Sequence, residues 1–283
     1  MIVGIIGLGR MGLIHAKNIV NLGHQYSYWD KNKPEGSSRD AVIEDSDAVV
    51  IATPSSEHFS DIADCLFKAK PVFVEKPIFG SGGSGSKWDA VCSLAKDQTV
   101  MVGSNLRYHP VVKVVKERMH ELGGTYNSAW FSLSQKKERP RDHVVLNWGS
   151  HEVDLALYLL NKGLEFWSHE ARVTEDNADF YIRRASGPPV HIHLDYNGNP
   201  SEHRYFTIHG NDASIHADLD NFVVMIFSRH GQEVIAVEGS HEQTYRDEMA
   251  EFIRRVEGKE PDGIGATGAD GLRCLKVLLE AQR

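Results

Sequence analysis

The amino-acid sequence predicts an α/β protein with two parts: a shortened, doubly wound parallel sheet, followed by an α+β part with a mainly antiparallel, open sheet. Short apolar runs alternate with helical apolar patterns at the start of the chain, which is typical of parallel strands joined by helices. Beyond Thr125 apolar and polar residues alternate, which is typical of antiparallel strands with one packed face. The 283 residues are enough for two domains, which we place at 1–122 and 123–283.

The composition excludes several classes of protein. With 41% hydrophobic and 25% charged residues the chain can form a packed core, and its net charge of −8 disfavours a nucleic-acid or anionic-membrane partner. The 3 cysteines, Cys65, Cys92 and Cys274, form no CxxC pair, which favours a reducing compartment over a disulfide framework. No stretch reaches the roughly 18 apolar residues that a membrane span needs. We therefore expect a cytoplasmic protein that binds neither nucleic acid nor membrane.

The first elements follow the order of a Rossmann-type dinucleotide-binding unit. An apolar strand at 2–6 leads into the turn GLGRMG, and a helical apolar pattern follows it. A second strand at 25–29 then ends in Asp30. The three glycines of the turn are Gly7, Gly9 and Gly12. This order of strand, glycine turn, helix, strand and acid predicts a nucleotide site and is far more specific than the glycine spacing alone.

Each residue of this unit has a physical role. Gly7 permits the tight turn, Gly9 lets backbone N–H groups approach a pyrophosphate, and Gly12 lets helix and strand pack closely. Asp30 would accept hydrogen bonds from the adenosine ribose hydroxyls. No arginine follows it directly, and a 2′-phosphate would meet like charge there, so NAD is favoured over NADP.

The next crossover is shortened. Only residues 31–46 separate Asp30 from the apolar strand at 47–52, so we expect a missing or minimal helix there. Thr53 and Pro54 leave that strand at its carboxyl end, the edge where such sheets bind ligands.

The next buried strand, at 71–75, ends in Glu75-Lys76-Pro77. The proline ends the strand, so the lysine lies at the lip of the sheet. There Lys76 can point its ammonium into a cofactor cleft; a surface lysine at a strand end is the alternative. The remaining elements that we predict for the first part are a helix at 57–69, a glycine- and serine-rich surface loop at 79–86, a helix at 87–96, a strand at 99–103 and a helix at 111–122.

In the second part, residues 190–196 alternate strictly, and parts of 204–209, 213–219 and 222–227 do so too. Helices at 242–257 and 269–282 close the chain. His191 and His193 share one face, but nothing nearby supplies further metal ligands, so a solvent or interface position is favoured over a metal site. The basic run at 136–141 is either a solvated loop or a contact for an anionic group.

The stretch LNWGSHEVDLALYLL at 146–160 predicts a helix with a polar face. Asn147, His151, Asp154 and Tyr158 fall on that face, while the aliphatic residues face the core and Glu152 is expected to face solvent. The second histidine of a zinc-binding HExxH motif is missing, so no metal is expected. Histidine suits proton transfer from an alcohol at neutral pH, and a lysine cation stabilises the alkoxide that forms.

Together, GIIGLGRMG, ATPSSEH, EKP, NLRYHP, GSHEVDLALYLL and YRDEMAEFIRRVEG resemble the Gfo/Idh/MocA family of NAD(P)-dependent sugar oxidoreductases over nearly the whole chain. The resemblance implies hydride transfer between a nicotinamide cofactor, for which Asp30 favours NAD over NADP, and a sugar, sugar derivative or sugar nucleotide. The alternating strands and many histidines suggest, by analogy, a homo-oligomer, a dimer or tetramer joined through the C-terminal sheet.

By position, the resemblance implies that Lys76 and His151 are catalytic, helped by Asp154. Asn147 occupies a position where the family often has an aspartate, so this chain departs from the commoner proton relay. The implied cofactor contacts are Gly7, Gly9, Arg10, Met11, Gly12, Asp30, Thr53, Pro54, His58, Glu75, Lys76 and Asn105. The implied substrate contacts are Lys76, Arg107, Tyr108, Asn147, His151 and Asp154.

Two other functions are compatible with the glycine turn. A non-catalytic NAD-binding regulator on the same fold would account for the shortened crossover and for Asn147. A methyltransferase that binds S-adenosylmethionine would explain neither EKP nor GxHxxD, so it is disfavoured.

Overall fold

The structure is a computed structural model that describes residues 1–80, 91, 93, 98–124, 126–135, 144–160, 167–183, 188–197 and 203–282. Most of the predicted glycine- and serine-rich loop, most of the predicted helix at 87–96 and the basic run at 136–141 lie outside these residues. The chain divides into two compact units, Met1–Asn105 with Glu242–Leu272, and Leu106–His241 with Arg273–Arg283.

The described strands are β1 Ile2–Ile6, β2 Gln25–Trp29, β3 Ala48–Ile51, β4 Val72–Val74, β5 Val100–Val102, β6 Tyr126–Ser134, β7 Trp167–Val173, β8 Asn177–Arg183, β9 Val190–Asp195, β10 His203–Gly210, β11 Ala213–Asp218, β12 Val223–Ser228, β13 Gly231–Ala236 and β14 Ala266–Thr267.

The described α-helices are α1 Arg10–Asn21, α2 Arg39–Glu44, α3 His58–Phe67, α4 Pro110–Arg118, α5 Val144–Asn147, α6 Gly149–Leu160, α7 His241–Val256 and α8 Gly268–Ala281. Among the described residues, two short 3₁₀ helices span Asn105–Tyr108 and Met119–Leu122. Within the described part of the chain, no helix has the length and apolar character that a membrane span requires.

The first unit contains a six-stranded sheet in the order β14-β5-β4-β3-β1-β2. Strands β1 to β5 pair in parallel, and β14 adds an antiparallel edge strand. All residues of β3 and β4 are buried, as expected for apolar strands covered on both faces. The predicted doubly wound parallel sheet is confirmed. The expected minimal crossover is α2, a six-residue helix whose N-cap Ser38 accepts a hydrogen bond from Ala41 N.

The second unit contains an eight-stranded sheet in the order β13-β12-β11-β10-β6-β9-β8-β7. Its strand pairs are antiparallel except for β6 with β9. Buried and half-buried residues alternate strictly along β8, β9 and β11, so the sheet has one packed face. Helix α6 packs against β6 and β9, and α4 against β11 and β12. The predicted antiparallel α+β part is confirmed.

The structural division differs from the predicted boundary at 122/123. Residues 106–122 belong to the second unit, where α4 packs on the sheet, and residues 242–272 belong to the first. The ring of Phe252 in α7 packs against Phe73 in β4, and Ala266 in β14 pairs with Val102 in β5. The sequence does not reveal that a helix near the end of the chain packs on the sheet formed by the first residues. Its apolar face would look the same whichever sheet it covered.

Candidate functional site

The glycine turn between β1 and α1 has backbone geometry that requires glycine at two positions. Gly7 has a φ of +91°, and a Cβ at Gly12 would collide with the carbonyl oxygen of Gly7. Gly9 precedes α1 as its N-cap, and among the described residues no side chain caps this helix end. Arg10 and Met11 begin the first turn of α1. The uncapped N–H groups of this turn are therefore suited to bind an anion such as a pyrophosphate.

Asp30 follows β2 and is bound to the glycine turn. Its Oδ2 accepts a hydrogen bond of 2.8 Å from Leu8 N, and its Oδ1 accepts one of 2.8 Å from Asn32 N. The ammonium of Lys33 donates to Leu8 O at 2.8 Å, so it is directed to the backbone of the same turn. Asp30, which the sequence predicts to bind the ribose, thus lies beside the glycine turn that is predicted to bind the pyrophosphate.

The segment after β3 contains Thr53 and Pro54. Thr53 Oγ1 donates to Asp61 Oδ2 at 2.7 Å. His58 begins α3 and is 1% exposed. Its Nε2 lies 2.9 Å from Thr53 O and its Nδ1 lies 2.9 Å from Pro77 O. Both ring nitrogens of His58 therefore contact backbone carbonyl groups, one in this segment and one after β4.

The EKP segment follows β4 at the same edge of the sheet. Glu75 is buried and accepts a 2.7 Å hydrogen bond at Oε1 from Nε2 of His15, a residue of α1. Burial acts to raise the pKa of Glu75, but the hydrogen bond and the electrostatic attraction of His15, with smaller contributions from Lys76 and His58, outweigh it and lower that pKa. Lys76 is half-buried beside this carboxylate. The edge therefore presents an ionised acid and a lysine side by side.

Asn105 follows β5 and is held by α7. Its Nδ2 donates to Thr244 Oγ1 at 3.2 Å, and the neighbouring Ser104 N donates to Glu248 Oε1 at 2.5 Å. Both Thr244 and Glu248 are 1% exposed. All the predicted cofactor contacts thus lie in the first unit, after the carboxyl ends of its parallel strands.

In the second unit, the predicted single helix is divided at Trp148: α5 ends at Asn147 and α6 begins at Gly149, so Asn147 lies on a different helix from His151 and Tyr158. His151 and Tyr158 are half-buried, whereas every other residue of α6 is buried. Asn147 ends α5, is half-buried and donates from Nδ2 to the hydroxyl of Tyr196 at 3.2 Å. Asn147, His151 and Tyr158 are therefore half-buried side chains on two successive helices.

Asp154 lies on the same face but is buried in an ion pair with Arg107. Arg107 donates from Nε to Oδ2 at 2.9 Å and from Nη2 to Oδ1 at 2.7 Å. The guanidinium also lies 5.0 Å from the ring centroid of Tyr158. Tyr108, the neighbour of Arg107, is 2% exposed. Two predicted substrate contacts, Arg107 and Asp154, thus bind each other.

The expectation that Glu152 faces solvent is wrong. Glu152 is 1% exposed, and its Oε1 lies 3.0 Å from Nε of Arg204 in β10. Neither atom has a hydrogen bond within the described part of the chain, so the contact is an ion pair without hydrogen-bond geometry. Burial raises the pKa of Glu152 to about 7, because this contact offsets only part of the cost of removing the charge from water.

Two groups of side chains bear on metal binding. His191 and His193 both contact Oδ1 of Asp179, at 3.1 and 2.9 Å, and remain partly exposed on the sheet. The ligand atoms of His203, Asp218 and Asp220 lie within 4.8 Å of one another. However, both oxygens of Asp218 already accept hydrogen bonds from the turn that follows it, at Asp220 and Asn221. The arrangement is that of a strand-ending turn.

Comparison with known proteins gives the matching family for the first unit. Residues 1–106 match the family model GFO_IDH_MocA, described as an oxidoreductase family with an NAD-binding Rossmann fold. The matched residues include the glycine turn, Asp30 and the EKP segment. The family resemblance inferred from the sequence motifs is confirmed by this match together with the relatives that follow, and of these motifs EKP lies within the matched residues and GxHxxD beyond them.

Relatives extend the similarity to the whole chain. A myo-inositol 2-dehydrogenase of Thermotoga maritima is 23% identical over 100% of this chain and 96% of its own length. A UDP-N-acetylglucosamine 3-dehydrogenase of Acidithiobacillus ferrooxidans is 25% identical over 55% of this chain and 53% of its own. The structure of an Acidithiobacillus ferrooxidans enzyme of that name superposes with a TM-score of 0.85 at 21% identity, covering 99% of this chain and 96% of that one.

A levoglucosan dehydrogenase, solved in complex with NADH and levoglucosan, superposes with a TM-score of 0.84 at 20% identity, covering 100% of this chain and 97% of that one. At such identities the structural likeness shows the fold, and this chain shares that fold with both enzymes over nearly its whole length.

Sequence reasoning missed three residues of the candidate site. His15, Thr244 and Glu248 are all buried and bind Glu75, Asn105 and Ser104 respectively. His15 could have been found, because it is a polar residue within the apolar pattern of α1. Thr244 and Glu248 lie on a helix far along the chain, so no spacing rule connects them with Asn105.

Proposed function

We propose that this chain is an NAD-dependent dehydrogenase or reductase. It transfers a hydride between the nicotinamide and a hydroxyl or carbonyl group of a sugar, sugar derivative or sugar nucleotide. The main support is Lys76, a half-buried lysine at the ligand-binding edge of the sheet, between two residues that are both anchored in the protein. A lysine that only improved solubility would not need such anchoring.

The substrate class is supported by the relatives. Their names specify myo-inositol, UDP-N-acetylglucosamine and levoglucosan, all of which are polyhydroxylated rings. A protein that oxidises one hydroxyl of such a ring must bind the oxygen of that hydroxyl and remove its proton. The proposal therefore needs a cation and a base, and the chain supplies them in Lys76 and His151.

The first unit fits a dinucleotide. The N-terminal turn of α1 lacks a side-chain cap, and open space surrounds the position that a Cβ of Gly9 would take. A pyrophosphate can therefore accept hydrogen bonds from this turn, with Asp30 placed for the ribose. His15 uses only Oε1 of Glu75, so Oε2 can accept a hydrogen bond from a cofactor hydroxyl. When bound, the nicotinamide accepts or donates the hydride.

In this proposal Lys76 stabilises the negative charge that develops on the substrate oxygen, and His151 accepts the proton. Asn147 cannot accept a proton, and its amide is directed to Tyr196. The carboxylate of Asp154 is paired with Arg107, so Asp154 positions the helix that carries His151. Arg107 and Tyr108 are both buried, so in this proposal they support the substrate-binding surface of the second unit and do not contact the substrate directly.

NAD is the proposed cofactor rather than NADP. The backbone N–H groups of Leu8 and Asn32 hold the carboxylate of Asp30 in place at the glycine turn. This fixed negative charge would repel a 2′-phosphate. Of the nearby lysines, Lys31 pairs with Glu57 and Lys33 binds Leu8 O. Both ammonium groups are thus bound elsewhere and do not neutralise the charge of a 2′-phosphate.

A substrate screen tests the proposal. NADH binding is measured by calorimetry, with S-adenosylmethionine as the negative control. Turnover is followed by the absorbance of NADH. Inositols, anhydrosugars and UDP-sugars are tested with NAD⁺, and their keto forms are tested with NADH. We expect NADH binding and turnover of at least one class. NADH binding without turnover across the panel would favour the non-catalytic regulator instead.

We also propose that two or four copies associate through the open face of the eight-stranded sheet. Trp130 and Phe227 on this sheet are each 43% exposed, and Val234 is 60% exposed. Burial of such side chains between copies would stabilise an oligomer. Light scattering of the wild type and of a Trp130→Glu variant tests this: a monomeric wild type contradicts it.

A further inference from the structure

The two residues that flank Lys76 are each bound by a buried histidine of the first unit. Glu75 accepts a hydrogen bond from His15 in α1, and the carbonyl oxygen of Pro77 is contacted by His58 at the start of α3. His15 is 0% exposed and His58 is 1% exposed. The segment that presents Lys76 is therefore attached to two different helices, once on each side of the lysine.

His15 makes one directed contact. Its Nε2 lies 2.7 Å from Glu75 Oε1, and the edge of its ring packs against Phe73 at 5.0 Å between centroids. An ionised carboxylate only accepts hydrogen bonds, so Nε2 is the donor. The other nitrogen, Nδ1, has no hydrogen-bond partner among the described residues. The polar function of His15 is therefore confined to its contact with Glu75.

His58 makes two directed contacts. Its Nδ1 lies 2.9 Å from Pro77 O, and its Nε2 lies 2.9 Å from Thr53 O. Carbonyl oxygens only accept hydrogen bonds, so His58 is the donor in any hydrogen bond that it forms with either segment. His58 thus joins the segment after β3 to the segment after β4.

We propose that His15 and His58 are positioning residues for Lys76, His15 through Glu75 and His58 through Pro77. The inference rests on the proposed function, in which Lys76 contacts the reacting oxygen. Apolar side chains would fill these buried sites without the cost of removing polar groups from water. Both histidines instead direct their nitrogens to the residues next to Lys76, which ties its position to the rigid helices.

A pair of variants at position 15 tests the first contact. In His15→Gln the amide nitrogen can replace Nε2, and no hydrogen bond to the described residues is lost at Nδ1. His15→Leu removes the donor. We expect kcat of His15→Leu to fall by about a hundredfold, because a displacement of the reacting group by about 1 Å has this effect. The NADH dissociation constant should change much less, and His15→Gln should restore most of kcat.

A second pair separates the two contacts of His58. The amide nitrogen of asparagine lies near the position of Nδ1 in histidine, and that of glutamine near Nε2. His58→Asn should keep the bond to Pro77 and hence most of kcat, while it weakens NADH binding through the released Thr53 segment. His58→Gln should keep the bond to Thr53 and NADH binding while kcat falls.

Hydrogen exchange separates this inference from the proposed function, because it needs no substrate. Amides of residues 72–80 should exchange faster in His15→Leu than in the wild type, and at the wild-type rate in His15→Gln. If the wild type shows no turnover, the proposed function is contradicted. The exchange rates alone then test whether His15 holds the segment that contains Lys76 in place. Equal exchange in the two position-15 variants, or equal kcat for the two position-58 variants of an active enzyme, overturns it.

Discussion

The guanidinium of Arg107 binds both carboxylate oxygens of Asp154, with 2.9 Å from Nε to Oδ2 and 2.7 Å from Nη2 to Oδ1. The side chains are only 6% and 7% exposed. The pair joins the 3₁₀ helix after β5 to the middle of α6, one turn beyond His151. Bidentate geometry fixes both the distance and the orientation of the two elements.

Asp154→Asn should therefore lower the free energy of unfolding by about 3–5 kcal/mol, because it leaves Arg107 buried without a counter-charge. Urea unfolding followed by circular dichroism measures this. The double variant Arg107→Met with Asp154→Leu should be more stable than Asp154→Asn, since it removes both charges. If Asp154→Asn instead unfolds like the wild type and loses only turnover, Asp154 is a proton acceptor and not an anchor.

Lys76→Ala should reduce turnover by about a hundred- to a thousandfold, since it removes the cation that stabilises the developing alkoxide. NADH binding should persist, because the glycine turn and Asp30 are independent of this side chain. Lys68→Ala is the matched control: Lys68 is a lysine of the same unit that pairs with the exposed Glu44. Turnover of Lys76→Ala at the wild-type rate would remove Lys76 from the chemistry.

Asp30→Asn should narrow the preference for NAD over NADP by at least about tenfold, which corresponds to about 1.4 kcal/mol. The change removes the charge that repels a 2′-phosphate and leaves one oxygen to accept from the backbone. Dissociation constants for NADH and NADPH, from fluorescence titration, give the ratio. Asp47→Asn is the control: Asp47 accepts a 2.7 Å hydrogen bond from Ile2 N at the opposite end of β1. A ratio that shifts equally in both variants would assign the effect to the backbone contact.

The fold and half of the site could be predicted because their signals are local. Gly7, Gly12 and Asp30 fall within one strand, helix and strand, where spacing alone determines geometry. The face of α6 that includes His151 follows from helical periodicity. Such rules act over one or two elements, and the glycine turn and Asp30 lie in the structure as these rules predict.

The failures concern partners that are distant in sequence. Glu152 reads as a solvent-facing position on α6, but Arg204 in β10 lies 3.0 Å from it in the fold. The ion pair of Arg107 with Asp154 was missed for the same reason, since both residues were assigned to substrate. Periodicity identifies which face of a helix is apolar, but it does not indicate which buried polar side chain has a partner.

The raised pKa of Glu152 makes the free energy of unfolding depend on pH. Its pKa is about 7 in the folded protein, raised by burial from the ordinary value of 4.5. Between these values the folded protein binds more protons than the unfolded chain, so its free energy of unfolding falls as the pH rises. The loss begins near pH 4.5, is complete above pH 7 and amounts to about 3 kcal/mol.

The variant Glu152→Gln should abolish this part of the pH dependence, because its amide does not titrate. Urea midpoints measured from pH 5 to pH 8 should fall for the wild type and stay flatter for the variant. Glu233→Gln is the control, since Glu233 is exposed and its pKa is lowered by Arg118, so it is already ionised throughout this range. If wild type and Glu152→Gln lose stability in parallel, Glu152 is ionised in the folded protein and Arg204 compensates its charge fully.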